Sequence, residues 1–531
     1  MSRVELILKT IGVSAVILSS YITPTSAQTI DKPPKPQNFH TSTNIKNTTS
    51  PLKISQATDT VEEEEVEQVE ELDPTVEAET YSEFERLEQD PDRLNLPATP
   101  EEVEININEP LTLKQALDLA LRNNKDLEES RLNLVRAERE LQQARSALYP
   151  DLDLRGNFTE SDSAASERSR ERFGAGSSAD EDSITQLDSD ITLSYNVYTG
   201  GNRGADIRRA KKNVEFNQLD VERITEQTLF ETARDYYDLQ NSNAQVNIEE
   251  AAVEDAQQTL KDAQLLEQAG LGTRFDVLRA EVELANAEQR LTTRIAEQRT
   301  ARRQLAETLS LGQQVNLETA DEIQEAGLWD KSLEETIVLG YSDRAELDQL
   351  LVRKQINEEQ RKIAWSAIKP QISLFAEYEI LEVYDDDADL ADGYSYGARL
   401  QWSIFDGGTA LARARQEETD ILIDQTAFAN QRNQVRVEVE QAYFGLQANK
   451  ENIVTSGKAV ELAEESLRLA RLRFQAGVGT QTDVIEAQTE LTTARGNRLD
   501  AIIQYNQSLN QLYRAINGLS TLVQTFNQNS Q

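Results

Sequence analysis

Beyond Pro110 the apolar positions run in long helical periods, are broken by short alternating stretches, and then do the same again. Leu113 corresponds to Leu333, Leu127 to Leu347 and Ala147 to Ala367, each pair 220 positions apart. Further on, Leu193 corresponds to Leu400, Tyr236 to Tyr443 and Gly270 to Gly477, now 207 apart, so the spacing changes once, by 13, between Pro150 and Gly200. In that interval each copy has an alternating run, a polar connection and a second alternating run. This pattern predicts β-hairpins over 150–198 and 370–405 with loops of unequal length.

In these hairpins Leu152, Leu154, Phe158, Ile191, Leu193, Tyr195 and Val197 are expected on one face. The second copy places Ile372, Leu374, Ala376, Tyr378, Ile380, Tyr396, Ala398, Leu400, Trp402 and Ile404 on the same face. The opposite face takes Asp153, Arg155, Asn157, Ser194, Glu377, Glu379, Arg399 and Gln401. Four strands of about ten residues cannot close a sheet, and the helices are too polar to cover a greasy one. The pattern fits strands facing lipid outward and a wet lumen inward, pooled from several chains so that no edge remains free.

After Gly200-Gly201 and Gly407-Gly408 the chain enters stretches almost free of helix breakers. From 202 to 268 only Gly204 interrupts, and Ile207, Ala210, Val214, Val221 and Ile224 fall on a seven-residue frame. At about 1.5 Å per residue, such a helix extends on the order of 100 Å. Each stretch ends in nearly the same words, "QAGLGTRFDVLRAEVEL" from 268 and "QAGVGTQTDVIEAQTEL" from 475. Glycines suit the reversal, and Thr273 and Thr480 with Asp276 and Asp483 three places on fit helix caps. Asp483 and Glu486 lie one helical turn apart; repeated around a shared axis they would form acidic rings that favour cations.

Composition narrows the functions available. Only 38% of the 531 residues are hydrophobic, and 94 Asp and Glu against 54 Lys and Arg give a net charge of −40. Nucleic acid is excluded as a partner on this charge, since phosphate binding needs clustered cations. Cysteine is absent and the one histidine is His40, which excludes disulfides and Cys or His metal sites. No motif with known catalytic mechanics appears, so the chain is read as having no enzymatic activity, no cofactor and no metal.

The N-terminus has Arg3 and Lys9 ahead of an apolar run and then Thr25-Ser26-Ala27, which predicts a signal peptide over 1–27. Residues 28–110 form a Pro-rich and acidic extension expected to be disordered, including "VEEEEVEQVEELDP" from 61. The first repeat is placed at 111–331, with its tip at 268–276. The second is placed at 332–518, with its tip at 475–483, and a tail follows at 519–531.

The export signal, the duplicated order of helix pair, hairpin, Gly-Gly, long helix, glycine turn and helix, and the tips "AGLGTRFDVLRA" and "AGVGTQTDVIEA" resemble the TolC family of outer-membrane efflux proteins. The resemblance covers residues 111 to 518. It implies an α+β membrane protein, a homotrimer in which four strands per chain build an outer-membrane β-barrel and the helical hairpins continue as a periplasmic α-barrel. It further implies an exit duct for efflux or type I protein secretion that docks an inner-membrane pump through a periplasmic adaptor and contacts outer-membrane lipid.

Carried across by residue, Asp276 matches an aspartate of the closed-state lock, and Asp483 and Glu486 match acidic entrance rings. The turns Gly270, Leu271, Gly272, Thr273 and Gly477, Val478, Gly479, Thr480 resemble adaptor-docking segments. The family's lock also uses an arginine and a tyrosine beside the second tip, where this sequence has Gln481 and Phe474; Arg274 or Arg473 is the replacement expected here. The alternative from another class is a structural coiled-coil protein of the envelope without a pore. It accounts for the heptads but gives the two hairpins no use.

Overall fold

The computed structural model describes residues 107–161, 184–312, 315–384 and 390–528, all within one compact unit, Glu77–Gln531. The expected signal peptide, and the extension up to residue 106, lie outside the described residues.

Each repeat opens with a capped helix pair. In the first, α1 (Leu113–Asn123) begins at Thr112, whose side chain and that of Gln115 cap each other's backbone, and α2 (Lys125–Ser146) follows after Asn124. Then come the strands β2 (Asp151–Ser161) and β3 (Ile184–Tyr198), the 67-residue α3 (Asn202–Gln268) and the 35-residue α4 (Arg274–Thr308). The second repeat follows the same order. Ser332 and Glu335 cap α5 (Leu333–Asp343), followed by α6 (Ala345–Ser366), β5 (Gln371–Val383) and β6 (Ala391–Gln401). Next are α7 (Thr409–Gln475), again of 67 residues, and α8 (Gln481–Ala515), again of 35. Both long helices start on two consecutive left-handed residues, Gly200 and Gly201 (φ 66° and 91°) and Gly407 and Gly408 (φ 71° and 88°). Only glycine takes that conformation without a steric penalty. At Gly200 a Cβ would also lie 2.8 Å from that of Lys369.

Within the unit α3 packs on α4, α7 on α8, and α3 also on α8, so two antiparallel hairpins lie side by side. The expected heptad stripe is only partly buried: Ala210 is covered, while Ile207, Val214, Val221 and Ile224 remain half-buried. The largest cluster of buried side chains lies further along α3, where Leu229, Tyr236 and Leu239 meet Leu117 of α1, Leu305 of α4 and Ile503 of α8. There the chain adds two elements the sequence pattern does not predict. One is a parallel pair, β1 (Ile107–Leu111) with β4 (Val315–Thr319), which buries Leu111, Val315 and Leu317. The other is α9 (Leu519–Gln528), where a tail was expected, with Leu519 and Val523 in the same core. The fully buried carboxylate of Glu226 accepts the backbone N–H groups of Leu519 (2.9 Å) and Ser520 (2.8 Å), satisfying the start of α9. Asp321 does the same for α1, accepting from Leu113 N (2.7 Å) and from the Tyr236 hydroxyl (2.8 Å). Burial, reinforced by Asp321, raises the Tyr236 phenol pKa.

The four remaining strands form one antiparallel sheet in the order β2-β3-β5-β6. Its register sets Leu152, Leu193, Ala376 and Tyr396 in one row and Leu154, Ile191, Tyr378 and Tyr394 in the next. Asp153, Thr192, Glu377 and Ser395 form a row of the opposite parity. Two faces of contrary polarity therefore run across all four strands, except that Phe375 and Leu381 fall on the polar parity and a register shift between Asn196 and Tyr198 takes Val197 out of the expected alternation. Among the described residues nothing covers the apolar one: Leu154 is 76% exposed and Tyr394 78%. β6 ends at Gln401, so Trp402 and Ile404 fall beyond the strand to which the pattern assigns them. The Trp402 indole donates instead to the Ile368 carbonyl (3.0 Å), which draws the chain out of the ladder toward the end of α6.

Candidate pore constriction

Both reversals between a long helix and its partner use one construction. At the end of α3, Gly270 is left-handed (φ 72°), its N–H donates to Glu267 O (2.9 Å) and the next, Leu271 N–H, to Leu266 O (2.9 Å). At the end of α7, Gly477 (φ 70°) donates to Phe474 O and Val478 to Arg473 O, both at 3.0 Å. These paired bonds satisfy the last carbonyls of each helix. The second glycine of each turn is needed for a different reason. A Cβ on Gly272 would lie 3.1 Å from Leu266 Cβ, and one on Gly479 would lie 3.0 Å from both Arg473 Cβ and Phe474 N. The turns thus leave Leu271 80% and Val478 70% exposed.

The following helices start on reciprocal caps. Asp276 Oδ2 accepts from Thr273 N (3.0 Å) and Oγ1 (2.6 Å), while Asp276 N donates to Thr273 Oγ1 (3.3 Å). Asp483 Oδ2 accepts from Thr480 N (3.0 Å), and Asp483 N donates to Thr480 Oγ1 (3.2 Å). The Thr480 backbone and side-chain bonds, with a smaller contribution from Arg473, hold the Asp483 carboxyl below its ordinary pKa. Glu486 is exposed one turn further along and borders an open groove of about 800 Å³ between α7 and α8. Arg274 pairs with neither aspartate within the chain. Among the described residues it pairs with Glu267 and Glu281, both 4.0 Å away on its own hairpin.

Two cross-links near the tips escape sequence reasoning. Arg471 of α7 pairs with Asp255 of α3 (2.6 Å), and Gln488 of α8 donates to Thr259 Oγ1 of α3 (2.9 Å). They join the two repeats just behind the turns, between residues more than 200 positions apart. No local pattern marks such pairs. Gln481, the first residue of α8, is 2% exposed, and its side-chain oxygen and nitrogen have neither solvent access nor a hydrogen-bonding partner.

The described residues contain no helix long and apolar enough to cross a membrane and no group of His, Cys, Asp and Glu able to hold a metal ion. The family model "Outer membrane efflux protein" matches residues 116–311 and 342–518, the two repeats in turn. Outer membrane efflux protein BepC of Brucella suis biovar 1 (strain 1330) is 26% identical over 164 residues, 31% of this chain and 36% of its own. Outer membrane protein TolC of Escherichia coli (strain K12) is 26% identical over 184 residues, 35% of this chain and 37% of its own. The chain therefore aligns with little more than a third of either relative. In three dimensions the likeness is broader: the Campylobacter jejuni CmeC outer membrane channel superposes with a TM-score of 0.67 at 16% identity, over 82% of this chain and 97% of that one.

Proposed function

Because the chain belongs to the outer membrane efflux protein family, we propose that it is an outer-membrane exit duct, assembled from three copies, for efflux or protein secretion. The observation that carries this reading is the sheet. Four strands expose a continuous apolar face, and among the described residues β2 and β6 each have a partner on one side only. Lipid is the environment that suits such a face, and closure with copies of itself removes the free edges. Three chains bring twelve strands, four from each. The polar parity, with Asp153, Asp190, Glu377 and Glu379, then lines a wet lumen.

The paired hairpins continue that wall as helices into the periplasm. Their tips form its narrow end, where Asp276, Asp483 and Glu486 ring the opening and give it cation preference, and Arg274 or Arg473 holds it shut. The exposed turns Gly270–Thr273 and Gly477–Thr480, each with one bare apolar side chain, are the surfaces offered to a periplasmic adaptor and, through it, to an inner-membrane pump. A poreless envelope rod leaves the sheet without a purpose.

Planar-bilayer recording of the purified protein tests this function. The duct reading expects small cation-selective currents, currents that grow in Asp276→Asn, and loss of cation preference in the Asp483→Asn, Glu486→Gln double variant. Absence of any conductance from well-folded protein contradicts it.

A further inference from the structure

Gln481 occupies the position in the second tip that Arg274 holds in the first, yet the two side chains meet opposite surroundings. Arg274 is 61% exposed, whereas Gln481 is sealed in at 2%. Gln481 is one of the residues around a cavity of about 260 Å³, with Thr259, Leu265 and Leu266 of α3, Arg471 and Phe474 of α7 and Val484 of α8. Of the polar residues around the cavity, Thr259 Oγ1 accepts from Gln488, Arg471 donates to Asp255 and Gln258 donates to Asp262, while Gln475 borders it without bonding to Gln481. A primary amide demands both a donor and an acceptor, and in this arrangement it has neither. Burying such a group unpaired penalises the arrangement that buries it, whereas an apolar side chain of the same length carries no such penalty.

We propose that Gln481 keeps the tip ready to open. The unmet demand of its amide is relieved when the ends of α3 and α7 separate and water reaches it, so the packed tip is held less firmly than its apolar contacts alone would hold it. This rests on the reading that the tips are the closable end of a duct, and it assigns the ease of opening to one side chain. Arg274, exposed in this arrangement, has no buried unpaired group, so the duplicated tips have unequal parts: only the second carries an unmet hydrogen-bonding demand.

Gln481→Met keeps length and volume and removes the demand. Amide hydrogen exchange across residues 474–486 of the assembled protein should slow about tenfold, the scale expected for one unpaired buried polar group. Channel openings in a bilayer should become rarer by a similar factor, and amides beyond Ala494 should keep their wild-type rates, which separates a tip effect from general stabilisation. Should Gln481→Met fail to assemble, Gln481→Leu must move both readouts in the same direction. Unchanged or faster tip exchange overturns the inference; faster exchange would mean that the amide finds a partner in the assembly and acts as a clasp. If the wild-type protein gives no openings at all, the duct reading fails, and the exchange measurement still decides the part played by Gln481.

Discussion

Thr480 and Asp483 cap one another across a single turn, Thr480 N to Asp483 Oδ2 at 3.0 Å and Asp483 N to Thr480 Oγ1 at 3.2 Å. Thr273 and Asp276 repeat that geometry in the other tip. One carboxylate therefore both starts a helix and stands where the proposed constriction needs negative charge. The two roles separate by substitution. Thr480→Val removes the hydroxyl acceptor and should weaken the start of α8 by about 1 kcal/mol, seen as faster exchange in its first turn, while leaving the charge in place.

The depressed Asp483 pKa would give the proposed ring a pH signature. Its hydrogen bonds from Thr480 favour the ionised form, so in folded protein the charge persists below the ordinary aspartate value of about 3.9 and is lost only as pH falls through the lower folded value. In a Glu486→Gln background, cation preference should therefore survive acidification to about pH 4. Adding Thr480→Val should move its loss to higher pH. Reversal potentials measured across a pH series test this.

The tip glycines should differ in sensitivity. Gly477→Ala meets no neighbour but forces a left-handed alanine, at a cost of about 1–2 kcal/mol. Gly479→Ala must push apart the last turn of α7, where Arg473 Cβ and Phe474 N stand 3.0 Å from the new methyl, and overpacking of this kind costs about 1–3 kcal/mol. Larger side chains at residue 479 should open the turn progressively. Protease nicking within residues 475–483 should rise in that order.

Polarity across the sheet predicts unequal responses to charge. Leu154→Arg puts a cation on the bare apolar face and should weaken insertion by about 2–4 kcal/mol if that row lies near the bilayer midplane. Arg155→Leu, its neighbour of opposite parity, should leave insertion intact and alter conductance. Urea titration of both variants in lipid vesicles distinguishes them.

At the start of α6, Arg344 and Arg514 both donate to Glu346, at 3.0 and 2.7 Å, and Arg344 also reaches Glu438 of α7 at 2.9 Å. Burial pushes the Glu346 carboxyl up, but Arg514 and Arg344 together pull it further down, leaving it below its ordinary value. The stability this depression contributes is fully present above the unfolded value of about 4.3 and is lost as pH falls through the folded one. Glu346→Gln should destabilise this joint by about 3 kcal/mol near neutrality and flatten the acid limb below about pH 4, read from melting temperature against pH.

Much of this architecture is legible in the sequence because the chain states it twice. The 220 and 207 spacings carry α1 onto α5, α2 onto α6, α3 onto α7 and α4 onto α8, and the Gly-Gly pairs and tip glycines mark where the long helices begin and end. What escapes is what depends on distant partners. "INEPL" in β1 has no alternation and contains a proline, and it becomes a strand only because β4, more than 200 residues later, lies beside it. The last helix starts without a capping side chain of its own, since the cap is Glu226, some 290 positions earlier. Gln481 reads as an ordinary polar residue at a helix start, and only the packing of α3 against α7 and α8 makes it a sealed one.

On the proposed function, one chain is a third of a cylinder. Native mass spectrometry of the detergent-extracted protein measures this most directly. A particle of three chains that needs detergent to stay dispersed is expected, whereas a single chain stable in plain buffer, with its apolar sheet face bare, would rule out the trimeric duct.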